Sequence, residues 1–193
     1  MPRMGLTPQR VVAEAAAVAD EAGLDRLTLA AVAKRLGISL PGLYKHINSL
    51  DSLKRDLAVL GVQELTAAMS AAAVGRSGHD ALRAMARAYR AYAAAHPGRA
   101  EASIRAPAPT DAEHIAVAEA AVAVLLAVLD GYHLRERDAI DAIRLLRVGL
   151  HGFTTLEAAG GFGQPQSVDA TFTRLIDSLD VTFTRWAGQP EPL

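Results

Sequence analysis

Apolar positions recur along the whole chain at the three-to-four-residue spacing of amphipathic helices, and no stretch alternates convincingly as a half-buried strand would. Val11, Ala15, Val18 and Ala22 form a first stripe, closed by Gly23. Leu29, Val32, Ala33 and Leu36 form a second, with Thr28 placed to cap its start and Gly37 to stop its end. Ser39 caps a short third helix carrying Leu40, Leu43 and Ile47; Pro41 is tolerated there because first-turn amides have no intrahelical partner. Asn48 or Ser49 caps a long fourth helix with Leu50, Leu53, Leu57 and Leu60 inward. After a Gly/Ser break at "VGRSG", Leu82, Met85, Tyr89, Tyr92 and His96 share a face of a fifth helix that Pro97 ends. A short helix precedes "APAPT", and Thr110-Asp111-Ala112-Glu113 reads as a capping box opening an apolar helix that Gly131 stops after Leu129. A further helix runs from about Asp138 to Ala159 and breaks at "GGFGQP". Ser167 caps the last, with Val168, Phe172, Leu175, Leu179, Phe183 and Trp186 on one side. The expected fold is all-α, with about nine helices.

Composition narrows the class. The 193 residues are 51% hydrophobic and 21% charged, enough apolar surface to offset chain entropy. Cysteine is absent, which removes disulfides and thiolate chemistry and fits a reducing compartment. The apolar run Ile115–Leu129 falls short of the ~20 residues that span a bilayer and is interrupted by Glu119, so it reads as a buried core helix. The N-terminus lacks the apolar core and cleavage site of a signal peptide. The expectation is a cytoplasmic protein with no membrane partner. Net charge is −1, but residues 1–60 hold eight Lys/Arg against six Asp/Glu, a contrast that matters only if those cations cluster on one element.

The second and third helices make such an element. Ala33 lies four residues before Gly37 and Leu43 six beyond it, so a small residue allows close approach and a glycine allows a tight turn. Val32, Leu36, Ile38 and Leu43 supply the shared core. This is helix-turn-helix spacing, and it turns Ser39, Leu40, Pro41, Gly42, Tyr44, Lys45 and His46 toward a partner. Thr28 can offer its hydroxyl and neighbouring amides to a phosphate at a helix start. The bland alternative is an ordinary helical hairpin with Tyr44 in its core.

The stretch "LTLAAVAKRLGISLPGLYKHINSLDSL" resembles the N-terminal domain of TetR-family transcriptional regulators, with Thr28, Ala33, Gly37, Leu43, Tyr44 and His46 in register. Two positions depart from that pattern. Ile47 stands where an aromatic is usual, and Leu50 where a phosphate-contacting lysine is usual, leaving Lys54 as a substitute. "LLRVGLHGFTTLEAAGGFG" resembles the C-terminal domain of a subgroup marked by a His-Gly pair, through His151, Gly152, Leu156, Glu157 and Gly160; Arg147 sits where an aromatic is common. The resemblance implies a helix-turn-helix domain over residues 1–48 with its motif at 28–47, a connecting helix over 49–75, and a ligand-binding and dimerisation domain over 76–193.

Other chemistry is weak. The six histidines are not paired at i,i+4, so no metal or other cofactor is expected. Gly160-Gly161-Phe162-Gly163 lacks the strand and lysine of a phosphate loop, and no nucleophile elbow frames a serine. An enzyme is not expected, although a helical enzyme or carrier with a binding cavity is the alternative of a different class. Met85, Tyr89, Tyr92 and His96 read either as plain core or, with Leu125 and Leu129, as the wall of a pocket for a small, largely apolar effector. His151 fits that pocket, packing or a dimer interface equally. Arg83, Arg87 and Arg90 read as a solvated face. Gly149, Gly152 and Phe153 with Phe172, Leu175, Leu179 and Phe183 are candidates for a homodimer interface. The functional expectation is a ligand-responsive regulator released from a palindromic operator, a repressor by the simplest reading; an activator has the same sequence features.

Overall fold

A computed structural model describes residues 6–186. Among them lie nine α-helices, two single 3-10 turns and no strand. The helices are α1 (Pro8–Ala22), α2 (Leu29–Leu36), α3 (Leu40–Leu43), α4 (Leu50–Ala73), α5 (Gly78–Ala95), α6 (Pro97–Ala102), α7 (Ala112–Leu129), α8 (Glu136–Ala158) and α9 (Val168–Trp186). The described residues divide into two compact units that do not follow chain order: residues 6–64 with 95–117, and residues 65–94 with 118–186.

The first unit is built on fully buried Val11, Ala15, Ala19, Val32, Leu43, Leu53 and Leu57. Its helix starts are capped as their sequences direct. Thr28 Oγ1 accepts from Ala31 N at 3.1 Å. Ser49 and Ser52 cap α4 reciprocally, each hydroxyl accepting from the other's amide at 3.0 Å. Segment 95–117 joins this unit by unusually close backbone approach. A Cβ on Gly98 would lie 2.3–2.4 Å from the carbonyl of Ala19, and one on Gly61 would lie 2.5 Å from the carbonyl oxygen of Arg99. Only glycine lets α6 sit there. Asp20 completes the joint, accepting from Arg99 N at 3.0 Å and facing its guanidinium Nε at 3.0 Å. This carboxylate from α1 satisfies a first-turn amide of α6 that no residue of α6 itself caps.

The second unit buries Leu82, Met85, Tyr89 and Tyr92 of α5, Leu125 and Leu129 of α7, Leu146, Leu150 and Phe153 of α8, and Phe172, Ile176 and Phe183 of α9. Edge-on ring pairs knit it together: Phe153 with Phe172 at 5.0 Å and Tyr132 with Phe183 at 5.7 Å between centroids. Trp186, at the end of α9, lies with its ring tilted 59° to that of Phe183, 5.9 Å between centroids. Tyr132 donates its hydroxyl to Asp180 at 2.6 Å, and burial with that carboxylate pushes its phenol well above its ordinary range.

Several local expectations change. The start of α7 is capped by Asp111, not Thr110: its carboxylate accepts from His114 N at 3.1 Å, while its main-chain oxygen accepts from Ile115. Both residue types cap well, and the one bonded to an arginine takes the place. Gly131 does not end α7 alone; a 3-10 turn over Asp130–Tyr132 follows, and the left-handed residue is His133, at φ 51°. The apolar helix itself is not a core helix. The segment Ala112–Tyr132 is long and apolar enough to cross a membrane, yet only 22% of its apolar window is buried, and Val122 and Leu126 lie open. On α9 the innermost aliphatic is Ile176, with Leu175 and Leu179 half-buried beside it.

Candidate functional site

The outward face of the first unit is set by how α2 ends. Gly37 adopts φ 68°, in the left-handed region that favours glycine. Its amide and that of Ile38 turn back to Lys34 O at 3.2 Å and Ala33 O at 3.1 Å, the paired bonds of a Schellman stop. The chain then leaves at a fixed angle into Ser39, whose hydroxyl accepts from Gly42 N at 3.3 Å and starts α3. α3 is a single turn. Lys45 and His46 are not on it; their amides bond to Gly42 O and Leu43 O, three residues back, in a tightened continuation. The recognition element is therefore shorter than its sequence pattern suggests.

Two positions of this element point inward: Leu43 and Ile47 are buried. Thr28, Ser39, Leu40, Pro41, Tyr44 and Lys45 are exposed, and Gly42, His46 and Lys54 are half-buried. Leu40 and Tyr44 are one helical turn apart, as are Pro41 and Lys45, so these four form one continuous outer face. Tyr44 is 52% exposed, which settles against its being a core residue.

Charge around this face is sorted. Arg35 is held by Glu14 and Glu21 at 2.9 and 2.7 Å. Arg55 binds Asp111 with both arms of its fork, and also Asp56 and Glu113 at 2.9 and 2.7 Å. That guanidinium, with the His114 amide second, holds the Asp111 carboxyl well below the usual carboxylate range. Arg105 pairs with Asp51 at 2.8 Å. No described carboxylate forms an ion pair with Lys45.

In the second unit, Met85, Tyr89, Tyr92, Leu125 and Leu129 are each buried, as core residues are. Burial pushes the Tyr89 phenol up. His96 does not join them. It follows the end of α5, belongs to the first unit, and its Nδ1 lies 3.5 Å from Asp20. His151 is half-buried on α8, with Nε2 3.4 Å from the Thr155 hydroxyl.

An open depression of this unit lies on the α5 face expected to be solvated. It has a volume of about 570 Å³ and is lined by Arg87, Arg90, Ala91, Ala94, Glu157 and Phe172, among others. Arg90 is not a surface cation. Its guanidinium lies 4.9 Å from the Phe172 centroid and 5.4 Å from that of Phe153, and is bound bidentately by Glu157 and at 2.8 Å by Asp169. Arg90 in turn keeps the Glu157 carboxyl below its ordinary range. Nothing at helical spacing around Arg90 announces these partners, which lie more than sixty residues along the chain; Glu157 is visible in the sequence only as part of the C-terminal resemblance.

The expected dimer residues also separate. Phe153, Phe172 and Phe183 are buried against their own chain. A Cβ on Gly149 would meet Leu175 and Leu179 of the same chain at ordinary contact distance, while Gly152 faces open space. The exposed large apolar groups on these helices are Ile140, Leu145, Val148 and Leu156 of α8 and Val181 of α9, at 37, 40, 72, 52 and 48%. Leu145, Val148, Gly152 and Leu156 fall on one stripe of α8.

Residues 82–179 match the family model described as the tetracyclin repressor-like C-terminal domain. Over 86% of this chain and 87% of the relative, the sequence is 35% identical to YobS of Bacillus subtilis, described as an uncharacterized HTH-type transcriptional regulator. It is 36% identical, over 89% of this chain and 78% of the relative, to Rv0681 of Mycobacterium tuberculosis, which carries the same description. The fold superposes with a TM-score of 0.72 on TetR-Q116A of Acinetobacter baumannii, solved in complex with minocycline, at 24% identity over 96% of this chain and all of that one.

Proposed function

Because this chain belongs to the TetR family of helix-turn-helix transcriptional regulators, we propose that it is a homodimeric repressor that leaves a palindromic operator when a small effector binds. The observation that carries the DNA half is the outer face of the recognition element: four exposed side chains around one turn, including a lysine outside every described ion pair, while Arg35, Arg55 and Arg105 are tied to carboxylates. Residues 1–48 bind DNA through Thr28, Ser39–Gly42 and Tyr44–His46. Lys54 supplies the phosphate contact that an aliphatic Leu50 has no charge to make. The helix over 49–75 connects to residues 76–193, which bind effector and associate with a second copy. The protein acts in the cytoplasm, with its DNA, and not as an enzyme.

Dimerisation uses α8 and α9, through the open apolar stripe of Leu145, Val148, Gly152 and Leu156 with Val181. A two-fold four-helix bundle is the simplest closed solution for two such helices. Light scattering on Leu145→Glu/Val148→Glu should report a monomer, and a persistent dimer would move the interface elsewhere.

The effector is small and largely apolar and binds against Met85, Tyr89, Tyr92, Leu125 and Leu129, with His151 nearby. That face is closed without ligand, so binding must rearrange it. The minocycline bound by the Acinetobacter protein supports the reading that this fold can hold a small molecule. A ~100-fold preference for the DNA-incompetent state supplies about 2.7 kcal/mol of coupling, and operator DNA must weaken effector binding by the same factor. The deciding experiment selects duplexes from a random pool with the full-length protein and measures anisotropy against random-sequence DNA. A palindromic sequence bound at least ~1,000-fold more tightly is expected. Equal affinity for selected and random DNA would refute operator recognition.

A further inference from the structure

We infer that the recognition element reads its operator chiefly through the 5-methyl groups of thymine, using Leu40, Pro41 and the ring of Tyr44, and not through bidentate hydrogen bonds to purines. The inference rests on the operator-binding reading above and adds what chemistry the binding prefers. Of the described residues of the first unit, the exposed large apolar side chains are Leu40, Tyr44 and Ile104. Two of these three stand side by side on one short turn, 40% and 52% exposed, with exposed Pro41 between them. A one-turn helix had no need to leave leucine in water, since its inner positions are filled by Leu43 and Ile47.

The polar side chains of the turn do not offset this. The fork of arginine reads guanine and the amide of asparagine or glutamine reads adenine, each through two hydrogen bonds. Between Gly37 and Ile47 there is no arginine, asparagine or glutamine. Asn48 lies beyond buried Ile47, in the stretch leading to α4. The Ser39 hydroxyl already accepts from Gly42 N. Lys45 shares the outer rim with Pro41, one turn from the start of the element, whereas helix-turn-helix proteins contact base edges with the first residues of the recognition helix. Those first residues are Ser39, Leu40, Pro41 and Gly42. In the major groove the apolar feature distinguishing one base from another is the thymine methyl. A leucine and a proline at the leading end therefore have one kind of base contact to make, and Gly42 beside them adds no side chain to hold the turn away.

The test takes the tightest duplex selected by the full-length protein and replaces each thymine of one half-site by deoxyuridine. This removes the methyl and keeps every hydrogen-bonding group. Burying one methyl is worth about fourfold in affinity, so at least one position in the half-site should lose about fourfold, and the symmetric pair about sixteenfold. Leu40→Ala should abolish the loss at one of those positions while keeping the charge contacts, giving a non-additive cycle. Unchanged affinity with deoxyuridine throughout the half-site, in a protein that still prefers its selected duplex, would overturn methyl readout and leave operator binding intact. A deoxyuridine penalty that persists in full in Leu40→Ala and in Pro41→Ala would also overturn the assignment to these side chains.

Discussion

The two units use arginine for one purpose in two settings. In the first, Arg35, Arg55, Arg99 and Arg105 each tie separate segments through carboxylates. In the second, Arg90 does the same but lies over two phenylalanine rings and is mostly covered. A planar fork suits fixed, bidentate ties, whereas lysine is a mobile point charge. The first unit can thus hold its shape with arginine and leave Lys45 to meet a partner. In the second unit, the arginine has become part of the packing, and the rings below it are committed to their own chain. Substitutions on the two surfaces should consequently act on different observables.

The largest effect belongs to the rings. Phe172→Ala removes a buried side chain that touches both Phe153 and Arg90, and should cost about 3–5 kcal/mol in urea unfolding. A cost below ~1 kcal/mol would mean that the ring is an interface residue and not core. An intermediate effect is expected at the first unit's helix start. Thr28→Ala leaves the Ala31 amide without its acceptor and should cost about 1 kcal/mol, with DNA affinity falling in addition. Equal affinity at matched folded fraction would remove the Thr28 hydroxyl from the DNA contacts. Lys45→Ala should leave stability within about 0.5 kcal/mol of the parent, yet weaken binding across sequences and flatten the salt slope by roughly one. An unchanged slope would take Lys45 off the phosphate backbone.

A further difference between the units comes with acid. Asp111 has its pKa depressed by Arg55, and Glu157 by Arg90. A depressed carboxylate contributes stability above its unfolded value, near 4, and loses it as pH falls through the lower folded value. The unfolding midpoint should therefore fall as pH drops below about 4. Arg55→Gln should remove the larger part of that acid limb and Arg90→Gln a smaller part. Equal acid limbs in parent and Arg55→Gln would show that Asp111 is not held by this pair.

What could be read in advance follows from the range of the interactions. Caps and stops are decided within four residues, so Thr28, Gly37, Ser39 and Ser167 stand where their neighbours dictate. Even so, local signals tie: Thr110 and Asp111 are equal as caps until Arg55, far along the chain, selects one. The outer face of α3 is legible because its inner face is fixed by Leu43 and Ile47. The cavity is not, since Arg83, Arg87 and Arg90 have the spacing of a wet stripe, and only residues beyond position 150 convert Arg90 into a covered one. Phe153, Phe172 and Phe183 illustrate the same limit, because periodicity identifies an apolar face without saying whether its own chain or a second copy covers it. His96 leaves its predicted face by a single residue of helix: α5 ends at Ala95, and the next side chain swings to Asp20.

Trp186 gives the chain an optical asymmetry. It is the sole indole of the sequence, and it sits at the end of α9, 5.9 Å from the Phe183 ring. Excited at its red edge, the protein emits from that one place in the second unit. Emission will report changes around the end of α9, and will be blind to local rearrangement in the recognition turn. Three of the four tyrosines, Tyr89, Tyr92 and Tyr132, lie in the second unit with the indole, so red-edge excitation, which tyrosine does not absorb, is what isolates Trp186 without any attached dye.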